Sequence, residues 1–584
     1  MNKNKNHDQT HRSYCRPQLP LWPKLLLTLG LLSVSSLMAA GKLSPDLEAL
    51  LNAKPAGAQP GTAGDQAVDV IIQFTRPPTA SDFVPITQGR GNVKKIFQHI
   101  PGALITVPTA ALRGIAGNPN VRYISPDRKL SGSLEFAEPA TGASIALQYG
   151  WDGTGVGVAI IDSGIYANHP DLRPRVIHSE SFVPGDTGTD DAYGHGTHVA
   201  GIVGGNGSAS TGSNYIYTFR GIAPGSNLIN LRALDQNGQG TDSSVIGAID
   251  RAIELKWEYG IRVVNLSLGR SVFESYTLDP LCQEVETAWN AGLVVVVAAG
   301  NNGRDNSMGT SGYATIASPG NDPYVITVGA MKDMSTIVRG DDLISSYSSK
   351  GPTLLDQIVK PDIVAPGNNI VSALASSSAI TQLYPGNAVP VSYYKNTGSS
   401  NISMNYFRLS GTSMATPMVS GAAALLLQQQ RSLTPDQVKA RLMKTASKNF
   451  PSSSVAVDPV TGASYTSTYD LFTIGAGYLD VWAALNNSDV ATGSALSPTA
   501  VYDPNTGSTV VMVADASVWQ DAVVWGTTVV WGTNVVAADE TAVVWGTAVV
   551  WGTSTSSSFA VVWGTTVVWG TSQANPGGAA LLGE

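Results

Sequence analysis

Five stretches of this chain, residues 156–161, 228–234, 263–268, 293–299 and 325–328, are dominated by Val, Ile, Leu and Ala without regular apolar–polar alternation. A strand with one wet face alternates with period two, so an unbroken apolar run is expected where both faces are covered. Between the runs lie helical stretches, among them residues 242–258 and a segment opening Thr434-Pro435-Asp436-Gln437. That opening supplies a capping threonine, a first-turn proline and a capping-box partner. Buried strands joined by helices point to a parallel sheet covered on both sides, an α/β fold of three layers with a mainly parallel central sheet over about residues 140–490. In such sheets, functional groups gather at the carboxyl ends of strands and the amino ends of helices.

Three short strings stand where those ends are expected. Asp162 closes the first run in Val-Ala-Ile-Ile-Asp-Ser-Gly-Ile, His195 lies in Gly194-His195-Gly196-Thr197-His198, and Ser413 lies in Gly411-Thr412-Ser413-Met414-Ala415-Thr416-Pro417 at the start of an apolar helix. A carboxylate, an imidazole and a hydroxyl are what turns a serine into a nucleophile. Only His169, His178, His195 and His198 lie beyond residue 127, which narrows the choice of a base. Read residue by residue, alternatives stay open: Asp162 as a turn residue, Ser413 as a helix cap, His195 and His198 as a metal pair. Asn301, after the strongest apolar run, is either a turn residue or an amide donor to a developing oxyanion.

The order Asp, His, Ser and the flanking residues resemble the subtilisin family of serine peptidases. Further matching strings are Asn321-Asp322-Pro323, Ser348-Ser349-Lys350-Gly351-Pro352 and Lys360-Pro361-Asp362-Ile363-Val364-Ala365-Pro366-Gly367, so the resemblance covers about residues 68–490. It implies a subtilisin-like fold and a serine endopeptidase in which Ser413 is nucleophile, His195 base, Asp162 its orienting carboxylate and Asn301 an oxyanion donor, with His198 a packed neighbour. It further implies that Gly238-Gln239-Gly240 and Ser267-Leu268-Gly269 pair with an extended protein or peptide substrate, and that Gly300 borders the pocket for the side chain before the scissile bond. Asp171, in His169-Pro170-Asp171-Leu172, matches a calcium ligand of some members, although residues 204–217 are rich in Ser and Gly rather than carboxylates. The chemistry requires no cofactor; structural calcium is the single metal expectation.

The remaining sequence divides by composition. Residues 1–40 carry a basic leader and an apolar run that ends in Ala39-Ala40-Gly41, a secretory signal peptide pattern whose run is short for a membrane span, with a retained membrane anchor as the alternative, and residues 41–66 read as a linker. Residues 67–127 begin with the alternating strand Val68-Asp69-Val70-Ile71-Ile72-Gln73-Phe74, continue through a helix around 110–116 and close on Val121-Arg122-Tyr123-Ile124-Ser125-Pro126-Asp127. This small α+β unit resembles the inhibitory propeptide of the same family, and makes the protein's own propeptide an expected partner. The peptidase region is then 128–490. Cys15 lies in the leader and Cys282 stands alone, so an exported, extracellular product has no internal disulfide and Cys282 reads as core. Residues 1–127 hold 13 Lys and Arg against 7 Asp and Glu, the rest 22 against 36, an acidity that argues against nucleic acid. The expected state is a monomer.

Residues 491–584 form a tail in which Val-Val-Trp-Gly-Thr recurs at 523–527, 529–533, 543–547, 549–553, 561–565 and 567–571. Tryptophans six apart share one face of extended chain, so the tail reads as a β-rich repeat array. Its aromatic rows are suited to packing together, or to contact with carbohydrate or a cell surface.

Overall fold

A computed structural model describes residues 67–96, 101–126, 136–397, 401–458 and 462–503, with a few shorter stretches beside these. The leader over 1–40, nearly all of the linker and most of the repeats lie outside the described residues. Among the described residues, no helix is long and apolar enough to cross a membrane. The chain divides into two units, Met1–Leu130 and Ser131–Glu584.

In the first unit, β1 (Ala67–Phe74), β2 (Asn92–Ile96), β3 (Gly102–Pro108) and β4 (Val121–Pro126) form an antiparallel sheet in the order β2-β3-β1-β4. The period-two pattern of β1 buries Val70, Ile72 and Phe74 on one face. Helix α1 (Ala80–Gln88) is opened by a Thr79–Asp82 capping box and packs Phe83 edge-on against Phe74, ring centroids 5.8 Å apart. The helix expected around 110–116 begins as a single tight turn, Thr109–Ala111, and continues as α2 (Leu112–Ala116) with Leu112 buried.

The second unit is built on β5 (Gly157–Asp162), β6 (Val176–Ser181), β7 (Asn227–Arg232), β8 (Ile261–Leu266), β9 (Val294–Ala298), β10 (Ile326–Lys332), β11 (Leu343–Ile344) and β12 (Ile363–Pro366). Their order is β11-β10-β9-β8-β5-β7-β6, with β12 also beside β10, and every pairing is parallel except β10 with β11. The apolar runs are buried as expected of strands covered on both faces: every residue of β5 and β9 is inaccessible. Helices α3 (His195–Gly204), α4 (Asp242–Glu254), α5 (Pro280–Asn290), α6 (Thr412–Gln429) and α7 (Pro435–Thr445) come in chain order. The capping box of Thr434 and Gln437 opens α7 as the sequence predicts. The helix read over 242–258 is two pieces, α4 and the turn Lys256–Tyr259, which ends at Gly260 in the left-handed region, φ 62°.

The segment after the last helices is tied into this unit. Ser497 donates to Asp362 at 2.5 Å, and buried Lys439 donates to Ser497 at 2.8 Å and to the carbonyls of Pro323 and Val325. Asp362 also takes Lys360 at 2.7 Å, so the two fully buried ammonium groups share one carboxylate. Beyond it, Thr499–Asp503, Ser508–Met512, Val535–Ala537 and Trp531–Gly532 pair antiparallel in that order; Trp531-Gly532 is the sole described part of the Val-Val-Trp-Gly-Thr copies.

Candidate active site

Asp162 is the last residue of β5, and its Oδ1 lies 2.8 Å from Nδ1 of His195, both side chains almost wholly buried. The same oxygen accepts from the Ser163 amide at 2.7 Å. His195 opens α3, and the glycine after it is a steric requirement: a Cβ on Gly196 would sit 2.2 Å from the carbonyl oxygen of Gly164. Burial alone would lower the His195 pKa, but the carboxylates of Asp162 and Asp191 outweigh it and hold the imidazole above its ordinary value.

Asp191 belongs to none of the strings that mark the site in the sequence. Its Oδ1 accepts from Ser163 Oγ at 2.8 Å and from the Gly194 amide at 2.6 Å, and its Oδ2 from the Thr197 amide at 2.7 Å. A carboxylate four residues upstream of His195 thus satisfies free amides at the start of α3. An Asp shortly before a glycine-led helix start is a recognisable capping signal. His198, one turn into α3, directs Nε2 at the carbonyls of Ile370 and Phe407, and burial drives it down to about 3, so it stays neutral.

Ser413 is the second residue of α6, where a helix leaves its amides without intrahelical partners. Its own carbonyl would ordinarily accept from residue 417, but Pro417 has no N–H. Ser267 replaces that donor: its Oγ gives a 2.8 Å bond to the Ser413 carbonyl, and accepts in turn from Asn265 Nδ2 at 3.0 Å. Asn265 Oδ1 then takes Ser420 from two turns further along α6 at 2.8 Å, so a buried polar chain fixes the helix to the end of β8. The Ser413 hydroxyl donates to the carbonyl of Ser267 at 3.1 Å, and His195 Nε2 has no hydrogen-bond partner among the described residues. Asn301, just past β9, is joined to the same helix start: its Oδ1 accepts from the Thr412 amide at 2.9 Å and from Thr412 Oγ1 at 3.1 Å, and the Gly300 amide donates to Thr412 Oγ1.

Of these groups His195 and Ser267 border a cavity of about 90 Å³, together with Leu268, Gly269, Gly238 and Gly240, whereas Asp162, Ser413 and Asn301 do not line it. Gln239 does not reach it; its backbone closes a turn with Asp235. Gly300 stands apart, bonded to Thr412. Tyr193, Leu234, Val245 and Leu281 complete the wall, and Arg270 is clamped there by Asp242 at 2.9 Å and Asp279 at 2.8 Å. They come from separate elements, so no local string announces them. Asp171 lies elsewhere: Oδ1 accepts from the Ala209 amide at 2.7 Å and Ser208 at 3.3 Å, Oδ2 from Tyr406 at 2.6 Å. Among the described residues no group of three or more His, Cys, Asp or Glu could hold a metal ion. Cys282 is wholly buried, and burial pushes its thiol far up.

Known proteins share this arrangement of sequence. Residues 153–477 match the peptidase S8 family, described as the subtilase family. Serine protease AprX of Bacillus subtilis is 38% identical over 394 residues, covering 65% of this chain and 83% of that protein, and Subtilisin E of the same organism is 31% identical over 435 residues, covering 73% and 93%. A solved cold adapted subtilisin-like serine proteinase is 28% identical, covering 56% of this chain and 90% of its own, with a TM-score of 0.38. The family match over residues 153–477 and the identities to AprX and Subtilisin E, together with the buried aspartate–histidine pair, show that the chain belongs to the subtilase family of subtilisin-like serine endopeptidases.

Proposed function

We propose that the protein is a secreted endopeptidase, made as a self-processing precursor, that cleaves proteins through an acyl-enzyme on Ser413. The hydroxyl turns from the Ser267 carbonyl toward His195 Nε2 and attacks the substrate carbonyl carbon as its proton passes to that nitrogen. Asp162 accepts Nδ1–H throughout, fixing the tautomer and stabilising the imidazolium. The oxyanion receives hydrogen bonds from the Ser413 amide and the Asn301 side chain, whose oxygen is already engaged by Thr412 and whose NH2 is therefore its donor end. Collapse of the tetrahedral adduct breaks the C–N bond, and His195 returns its proton to the leaving amine. Water then repeats the sequence on the ester and frees Ser413.

The observation that carries this reading is the buried 2.8 Å contact between Asp162 and His195, linked through the shared cavity to Ser267 and so to Ser413. An extended peptide alongside Ser267-Leu268-Gly269 and Gly238-Gln239-Gly240, with Gly300 at the next pocket, is the substrate arrangement in keeping with it. Asp171 keeps its place as the candidate ligand of a structural calcium: its Oδ2 accepts from Tyr406 and has a second lone pair. Residues 67–127 act as the removable inhibitor. Ser413→Ala should leave the precursor uncut near residues 127–140; cleavage there as efficient as in the parent would show that another peptidase matures it.

A further inference from the structure

The catalytic groups sit at the carboxyl ends of the parallel strands, and a second cavity lies at the opposite ends. Val156, which precedes β5, and Arg262, the second residue of β8, border a space of about 240 Å³. Six residues of strand separate Val156 from Asp162, about 20 Å at the rise of extended chain. The cavity is walled by Lys256, Arg262, Arg431 and the indole of Trp257, and among the described residues no carboxylate lines it.

We propose that this cavity binds a tetrahedral oxyanion, a phosphate or sulfate group, held by Lys256, Arg262 and Arg431.

The three cations are not neutralised as others on this unit are. Arg251 is paired with Glu180 and Glu254, and Arg270 with Asp242 and Asp279. Lys256 instead donates to the carbonyl of Ala291, and Arg262 to the carbonyls of Arg431 at 2.7 Å and Leu433 at 2.8 Å. Burial lowers the pKa of Lys256 and Arg262, and the next contribution in each case is another cation, Arg262 for the lysine and Arg431 for the arginine. Like charges gathered without a counter-charge cost free energy that an anion would recover. Guanidinium groups match the edge of a phosphate or sulfate with parallel N–H donors, and the ammonium adds a point charge.

Two features suit the cavity to a ligand. Gly155 has φ 80°, and a Cβ there would lie 2.5 Å from Arg431 Nη2, so the absence of a side chain lets the guanidinium lie over the turn. Trp257 is 86% exposed, with Lys256 Nζ 4.6 Å from its ring centre, and offers a flat apolar face beside the charges. A water occupies about 30 Å³ of liquid, so the cavity has room for the oxyanion and part of whatever carries it.

The test is isothermal titration of the full chain, carrying Ser413→Ala to prevent autolysis, with inorganic phosphate, inorganic sulfate and glycerol 3-phosphate at matched chloride. One saturable site is expected, weakened by salt, with affinity lowered about tenfold or more in Arg431→Gln and in Lys256→Gln. The Arg431 guanidinium holds no carbonyl among the described residues, and an unchanged near-ultraviolet circular dichroism spectrum verifies that its variant is folded. Tighter binding of the ester, lost in Trp257→Ala, identifies a phosphorylated molecule as ligand; equal binding identifies the free ion. No saturable binding, or equal binding in folded Arg431→Gln, overturns the proposal.

Discussion

Replacing Ser267 by alanine removes the hydroxyl that stands in for the N–H that Pro417 lacks. Two buried groups are then left without that partner, the Ser413 carbonyl, which received a 2.8 Å bond, and Asn265 Nδ2, which gave one at 3.0 Å. An unsatisfied buried polar group costs about 1–3 kcal/mol, so with two of them Ser267→Ala should lose about 2–6 kcal/mol of stability. Asn265→Leu alone strands Ser420 Oγ, which donated to Asn265 at 2.8 Å. In the double variant the orphaned amide no longer exists, so the two losses should fall short of their sum by about 1–2 kcal/mol. Guanidinium unfolding, monitored by circular dichroism on the Ser413→Ala chain, reads all four corners of this cycle. A Ser267→Ala cost below about 0.5 kcal/mol, or losses that add within about 0.4 kcal/mol, would refute the idea that Ser267 satisfies the carbonyl.

Two further expectations concern protons. Because Asp162 and Asp191 hold His195 above its usual value, kcat/KM should fall on the acid side from a pH above about 6.5, where the imidazole becomes charged and cannot accept the Ser413 proton. Asp162→Asn should lower kcat about 10⁴-fold and move that limb to lower pH; a pH–rate profile with an unmoved limb contradicts the assignment. Glu138 is wholly buried, and burial pushes it from 4.5 up to about 8 against the opposing charge of Arg220. A raised carboxyl contributes stability that is complete below pH 4.5 and lost as pH rises toward 8, here about 5 kcal/mol. Glu138→Gln should flatten this slope in unfolding measurements between about pH 5 and 9; an unaltered slope shows that other groups produce it.

The sheet was legible because burial on both faces writes itself into composition: Leu293-Val294-Val295-Val296-Val297 needs no partner to be recognised as inaccessible. Asp162, His195, Ser413 and Asn301 were legible as candidates because each lies in a string whose glycines and prolines shape its own backbone. Meetings across the chain leave no such trace. Asp242, Arg270 and Asp279 form one clamp only because α4, the end of β8 and the start of α5 converge. The same holds for Lys256, Arg262 and Arg431, three ordinary surface cations by sequence. The position of the Ser413 hydroxyl is a rotamer, which no periodicity encodes.

The anchoring of Ser497 determines where the catalytic body can be severed from the repeats. Proteolysis after residue 503 would leave intact the hydroxyl that Asp362 and Lys439 share. A cut before residue 495 would withdraw it and expose a carboxylate, and the two ammonium groups beside it, to solvent through the opening left behind. The short stretch leading into the repeats is therefore a plug on which a buried charge cluster depends.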